Sequence, residues 1–265
     1  MIDMDYRGLF ERFSPAAETD VLLNGRPLSA YGLDAASGWP EIGEVTPQTE
    51  YVQIPGSAGS LDVSLVNSQM AAFPGRRTIK LDVVISGDQL ESWEAKTEIG
   101  RLVGQYVTIS RPVWPGYFRG RLRLSAWEDG HVGPYFAQAT ATISIECDTP
   151  YMYGEPVSEN LAIGNENKLK ILGNKPVLPE VSVILTEKQS FTITKPGTTG
   201  KVTIVPGSGG ITGATTYLNF ETRNVTPTPR WQVALESEFF EIGPGEVTLG
   251  STQTGTLTYT PLYLV

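Results

Sequence analysis

The sequence predicts a mainly β protein of two domains: a sheet-based N-terminal domain with one packed helix over residues 1–148, and a C-terminal β-sandwich over residues 149–265. Three observations carry that prediction. Apolar and polar residues alternate with a period of two along most of the chain, the pattern of strands with one wet face. The 28 glycines and 19 prolines interrupt the alternation at short intervals, as turns between short strands do. Only one stretch, opening at Asp88, carries the signals of a long helix. A length of 265 residues exceeds what one small core needs and suits two domains.

Val21, Leu22 and Leu23 lead into Asn24-Gly25, and Pro27, Leu28 and Tyr31 follow. This reads as strand, turn, strand across residues 20–33, because Asn and Gly both tolerate the positive φ of a tight hairpin turn. A strand over 51–54 runs into Pro55, Gly56, Ser57, Ala58 and Gly59, and the alternation resumes at Leu61, Val63 and Leu65, so this loop is expected to lie within a sheet. From residue 77 onward Ile79, Leu81, Val83 and Ile85 face a core while Thr78, Lys80 and Asp82 face water. Asp88 with Glu91 three residues later has the form of a capping box, and Leu90, Trp93, Ala95, Ile99, Leu102 and Val103 follow before Gly104. Three further strands are expected over 106–109, 117–127 and 135–145, with His131 in the turn between the last two. Arg119, Arg121 and Arg123 fall on one strand face, Leu122 and Leu124 on the other. A solvated face accounts for that pattern, and so does a charged subunit contact, since arginine makes geometrically specific pairs with carboxylates.

The two halves meet at Cys147, Asp148, Thr149, Pro150 and Tyr151. Residues 154–179 are polar and turn-rich, with short strands expected over 161–163 and 169–172. Strands then recur over 179–185, 190–194, 201–205, 216–222, 231–235, 246–249 and 256–264 with no credible helix, which is the pattern of a sandwich.

Composition excludes several functions. A net charge of −9 opposes binding to nucleic-acid backbone or to an anionic membrane surface. Nothing approaches the roughly 18 consecutive apolar residues of a membrane span, and residues 1–6 carry no secretory n-region, so the expectation is a soluble protein made in the cytoplasm. The single cysteine, Cys147, can form neither an intramolecular disulfide nor a multi-cysteine metal site, and reads as core packing. Two glycine-rich stretches fail as phosphate loops. In Gly197-Thr198-Thr199-Gly200-Lys201 a Walker loop would need glycine at Lys195 and Ser or Thr at Val202, and in 207–213 Thr212 replaces the last glycine of a dinucleotide fingerprint. Glu236, Glu238 and Glu241 cluster in sequence, but glycoside hydrolysis needs two carboxylates facing each other across a cleft. His131 has no Ser or Cys motif to serve, and Asn224-Val225-Thr226 is a glycosylation acceptor only in a secretory setting. No catalytic residue, cofactor or metal is expected.

Taken in order, these features resemble the distal tail proteins of long-tailed bacteriophages and related tail-like particles. The resemblance rests on Leu23-Asn24-Gly25, on Tyr51-Val52-Gln53-Ile54-Pro55-Gly56 with Gly59, Leu61 and Asp62, on the strand from Arg77 with the Trp93 helix behind it, and on Tyr117, Arg119, Gly120, Arg121 and Leu122. In the second half it rests on Cys147, Pro150 and Tyr151, on Trp231, on Ile242-Gly243-Pro244-Gly245-Glu246-Val247, and on the closing Leu262-Tyr263-Leu264. It implies a belt domain that closes into a hexameric ring and a galectin-like β-sandwich projecting from it, both without enzymatic activity. That homo-hexamer would sit at the virion tail tip, join the tail tube protein to the hub or tail-associated lysin, and carry receptor-binding protein at its edge. DNA would pass through the bore without being specifically bound, and an acidic protein suits such a conduit. Sugar-binding galectins use a histidine, asparagine and arginine group with a tryptophan platform. The second half has Arg230 and Trp231 but no histidine, so that site does not carry over. Trp231 reads as core packing or as a stacking platform, with Tyr217 the other candidate for glycan contact. Two alternatives remain open: a carbohydrate-binding protein contacting host cell-wall glycans, and a cell-wall glycosidase acting through Glu236 or Glu238.

Overall fold

The computed structural model describes residues 20–36, 38–56, 58–65, 74–185, 189–207, 214–226 and 231–265. The chain forms two compact units, Met1–Met152 and Tyr153–Val265, and is mainly β with one α-helix among the described residues.

In the first unit the strands are β1 (Leu22–Leu23), β2 (Arg26–Pro27), β3 (Asp34–Ala35), β4 (Glu41–Ile42), β5 (Tyr51–Gln53), β6 (Ser60–Asp62), β7 (Arg77–Ser86), β8 (Tyr106–Ser110), β9 (Gly116–Leu124), β10 (Glu128–Val132) and β11 (Tyr135–Cys147). One antiparallel sheet runs in the order β2-β1-β8-β9-β11-β7-β3, with β10 paired to β11 and β4 to β7. The β1–β2 turn takes Asn24 and Gly25 at positive φ, 51° and 73°, which is why those two residue types sit there. Asn24 does more than turn the chain, because its carboxamide oxygen accepts from the Thr108 N–H at 2.9 Å while its own N–H donates to Thr108 at 2.9 Å. The expected second arm is cut short. Pro27 supplies no ladder N–H, and Leu28–Tyr31 winds into a 3-10 turn that buries Leu28 and Tyr31 together.

β7 alternates as its sequence dictates, burying Ile79, Leu81, Val83 and Ile85, and it pairs over ten positions with β11, whose Ala139, Ala141, Ile143, Ile145 and Cys147 face the same core. β9 lies on the other side of β11, with Gly120 opposite Cys147. A Cβ on Gly120 would sit 2.3 Å from the Glu146 carbonyl oxygen, so only glycine lets β9 approach β11 there. Cys147 is buried, and that burial pushes its thiol up to about 11 from 9.0, against a smaller lowering by Arg77. The folded chain therefore holds the thiol proton to about pH 11, whereas the unfolded chain releases it nearer 9.0. Between those values the folded state binds more protons, so this group's contribution to stability falls as pH rises through that window. At pH 8 a thiol reagent is expected to label Cys147 only in denaturant. Rapid labelling of the native protein would contradict this packing.

The helix α1 (Gln89–Gly100) begins where the capping box requires: Asp88 accepts from the Glu91 N–H at 2.8 Å, and Glu91 accepts from the Asp88 N–H at 3.2 Å. Its buried face is Ser92, Ala95 and Ile99, set against β7, β11 and the 3-10 turn. Leu90 and Trp93, counted in the apolar pattern, point outward, 68% and 63% exposed. What ties the helix down at its edge is Lys96. Its ammonium pairs with Asp129 of β10 at 2.6 Å and lies 5.6–5.9 Å from the ring centroids of Trp93, Trp127 and Phe136. Lys96→Met keeps the aliphatic stem and removes the charge, and is expected to cost about 1–2 kcal/mol. Urea titration with near-ultraviolet circular dichroism reads that loss, and unchanged stability with an unchanged tryptophan signal would demote the cluster to a solvated pair. The strand expected over 117–127 ends early, and residues 125–127 are irregular before β10 begins. β9 stops at Leu124, and His131 lies within β10 beside a register shift, not in a turn; the turn is Gly133-Pro134.

In the second unit β12 (Met152–Gly154), which opens at the unit boundary, is followed by β13 (Val157–Leu161), β14 (Gly164–Ile171), β15 (Glu180–Leu185), β16 (Phe191–Thr194), β17 (Lys201–Pro206), β18 (Ala214–Asn219), β19 (Asn224–Thr226), β20 (Trp231–Val233), β21 (Gly245–Ser251), β22 (Gly255–Tyr259) and β23 (Leu262–Tyr263). Two five-stranded antiparallel sheets, β13-β22-β15-β18-β19 and β14-β21-β16-β17-β20, enclose one core that includes Val181, Leu218 and Leu257 from the first and Phe191, Ile204 and Trp231 from the second. The turn-rich stretch after Gly154 thus supplies β13 and β14, in which Ser158, Asn160, Glu166, Lys168 and Lys170 are exposed. Pro261 splits the expected last strand into β22 and β23. Gly197 to Lys201 is the β16–β17 connection, closed by the Lys195 N–H on Gly200 at 2.9 Å. The dinucleotide-like stretch lies outside the described residues from Ser208 to Gly213.

Candidate functional site

β9 carries the arginines on its outer face because Phe118, Gly120 and Leu122 take the inner one. Antiparallel register then builds a charged row across three strands: Tyr106 of β8 stands opposite Arg121, which stands opposite Glu146 of β11. Arg119 is opposite Thr108, and Arg123 is opposite Ser144. Arg123 reaches diagonally to Glu146, Nε to Oε1 at 2.6 Å, which raises its pKa further. Arg121 lies over the Tyr106 ring at 4.5 Å and donates from Nη1 to the Gly104 carbonyl at 2.9 Å. The Tyr106 hydroxyl donates to Asp148, and that carboxylate holds the phenol above its ordinary range. All three arginines are exposed, so this is a surface of ordered but water-accessible cations. Such a face can meet carboxylates of another chain, because exposed pairs of this kind are weak in water and exchange partners at little cost.

A second feature was not expected. Among the described residues β5 and β6 pair only with each other, Tyr51 opposite Asp62 and Val52 opposite Leu61, and every residue of both strands is exposed. The sequence reading put this alternation inside a sheet. Instead the hairpin leaves Tyr51, Val52, Ile54, Leu61 and Leu65 facing solvent.

In the second unit the two glycan candidates part company. Trp231 is 0% exposed and belongs to the core shared by the two sheets, so its ring offers no platform on which a sugar can stack. Arg230 lies outside the described residues. Tyr217, 45% exposed, stands on the outer face of β18 opposite Ser182 of β15 and Thr226 of β19. Asn224 and Thr226 belong to the edge strand β19. Glu236, Glu238 and Glu241 are exposed along one loop; the Glu238 backbone pairs with Lys201, and the Glu241 carbonyl accepts from the Lys195 ammonium at 3.0 Å. They do not converge across a cleft. The phenylalanines between them turn inward, with Phe239 and Phe240 meeting Phe220 edge-on at 5.3 Å and 5.2 Å.

No family model matches the chain, and no curated protein does. Among solved structures the chain is similar to the SPP1 Dit (gp 19.1) protein, described as a paradigm of the hub adsorption apparatus in phages that infect Gram-positive bacteria. The TM-score is 0.68 at 15% identity, over 92% of this chain and 99% of that one. Weaker matches are the phage P2 baseplate in its activated conformation with Ca, TM-score 0.41 at 9% identity, over 89% of this chain and 92% of that one, and the same baseplate with Sr, 0.42 at 9%, over 88% and 92%. The first match establishes a shared fold along nearly the whole chain.

Proposed function

We propose that this chain is a structural subunit of a phage, or phage-like, tail tip: it closes into a hexameric ring through a belt domain, joins the tail tube to the hub or tail-associated lysin, and has no enzymatic activity. The observation that carries this reading is the whole-length fold shared with a phage hub protein, first and second units included in the same order. The arginine row of β9 supports it, since a ring needs a surface whose polar groups find new partners in a neighbouring copy. The net charge of −9 supports a conduit that releases DNA. The second unit is read as the galectin-like domain, beginning near residue 149.

Solution mass by light scattering, with negative-stain microscopy, tests the reading. A ring of six 28.8-kDa chains has a mass of about 173 kDa. A six-fold ring at that mass is the expected result, and a monomer at every concentration overturns ring closure by this chain alone. One observation favours the other reading, a protein that contacts host cell-wall glycans: Tyr217 is an exposed aromatic bordered by the hydroxyls of Ser182 and Thr226. Strong signals on a glycan array that vanish in Tyr217→Ala would carry it.

A further inference from the structure

The exposed hairpin β5–β6 is a detached element. Two-stranded hairpins are marginal in water without a covering surface. This one holds Tyr51 at 61%, Leu61 at 53% and Leu65 at 77% exposure, with Val52 and Ile54 beside them. Its base is nonetheless built: the Val63 N–H donates to the Glu50 carbonyl at 2.9 Å, the Glu50 N–H to the Ser64 hydroxyl at 2.8 Å, and the Ser64 N–H to Asp62 at 2.9 Å. The whole excursion springs from β7, pinned where Gly43 donates to Thr78 at 3.0 Å and Gly75 to Thr46 at 2.8 Å. The hairpin is therefore an arm with a fixed root and an uncovered apolar surface.

Charge says what covers it. From Pro27 to Gly75 the chain has five acids, Asp34, Glu41, Glu44, Glu50 and Asp62, and no lysine, arginine or histidine. From Ile99 to Trp127 it has five arginines, at 101, 111, 119, 121 and 123, and no acid. Folding buries Arg111 and leaves Arg119, Arg121 and Arg123 exposed on β9, flanked by the exposed Tyr106 and Val113. In the sheet order β8-β9-β11-β7 the arm leaves from β7, whereas the arginine strand lies beyond β11 with β8 on its far side. One chain thus presents an acidic apolar arm from one side of its sheet and, toward the other, a face of three arginines against the two carboxylates of Glu146 and Asp148, which is basic in balance.

We infer that the arm formed by residues 44–56 and 58–65 docks on the β8–β9 arginine face of a second copy of this chain. Because donor and acceptor surfaces differ, the contact is head to tail, and head-to-tail contacts close into rings when the rotation allows. The inference rests on the ring reading above and names its contact. The helix edge, where Leu90 and Trp93 are exposed, is a poorer match for an acidic arm, because Glu91, Glu94 and Glu98 there are interspersed with Lys96 and Arg101 and give a mixed surface where β9 gives a row of cations.

A charge swap tests it. Glu44→Arg with Glu50→Arg alters two exposed side chains of the arm. Arg119→Glu with Arg123→Glu alters the face. Each pair alone is expected to lower the ring population at least tenfold by light scattering, with an unchanged circular dichroism spectrum, and all four substitutions in one chain are expected to restore the ring. An arm variant that keeps the ring, or a fourfold variant that fails to regain it while remaining folded, overturns the docking and leaves the ring reading standing. An unsubstituted protein that never forms a ring overturns both.

Discussion

Trp231→Ala is expected to remove about 3–5 kcal/mol from the second unit, a large share of the roughly 5–15 kcal/mol that holds a domain folded. The indole is fully buried and is the largest of the buried side chains, set among Phe191, Ile204, Phe220 and Val225 in the core shared by both sheets. Alanine leaves a hole that the strands cannot close. β20 is an edge strand, held by its ladder to β17, and β17 is in turn paired to β16, so the neighbouring side chains of the close-packed core close the hole only in part. Hydrogen exchange should show Val181, Ile193, Ile204 and Leu218 losing slow exchange together. Unchanged protection at those amides would mean that the core tolerates the cavity and that Trp231 is not its keystone. Trp231→Phe should cost much less. The indole N–H is buried with no hydrogen-bond partner among the described residues, so removing it relieves a desolvated donor and offsets part of the lost volume.

That tryptophan marks where sequence reading succeeds and where it stops. Its neighbours alternate, so a strand opening at residue 231 was legible, though it stops at Val233 and not at 235, and core packing was one of two roles open to it. The choice between them depended on the opposite sheet, which periodicity does not identify. The same limit explains the β5–β6 hairpin. Tyr51, Leu61 and Val63 alternate like any half-buried strand, but alternation reports a face that needs covering and not which surface covers it. Here nothing within the described residues of the first unit packs as a second layer on that hairpin. The start of α1 was legible because a capping box is a local device, complete within four residues; its end was not, since the apolar pattern runs on through Leu102 and Val103 while the helix stops at Gly100. Its packing face was not, because Leu90 and Trp93 out-score Ser92 in hydrophobicity and the fold buries Ser92. For the arginine row, the sequence placed three cations on one face. The partners were non-local: Glu146 and Asp148 reach this face only because β11 pairs with β9 and carries the chain on to Asp148.

Reversing Arg119, Arg121 and Arg123 together to glutamate is expected to abolish the ring while leaving the chain folded. Within one chain the substitution breaks the Arg123–Glu146 pair, the Arg121 bond to Gly104 and the stacking on Tyr106. These are exposed interactions, weakened by water and salt, so melting should fall by only a few degrees. In an assembled ring the same three charges recur at every contact, and six repeats of a repulsive face cannot be accommodated by side-chain rotation alone. Light scattering should therefore move from about 173 kDa to the 28.8-kDa monomer. Salt separates this electrostatic account from a steric one. Raising ionic strength from about 0.05 M to about 0.5 M shortens the screening length to a few ångströms. It should weaken the unsubstituted ring and strengthen residual assembly of the reversed variant, two opposite trends from one change of solvent. A variant that keeps its ring at low salt would remove β9 from the contact. A monomer insensitive to salt would assign the loss to shape, because a clash between side chains does not relax when charges are screened.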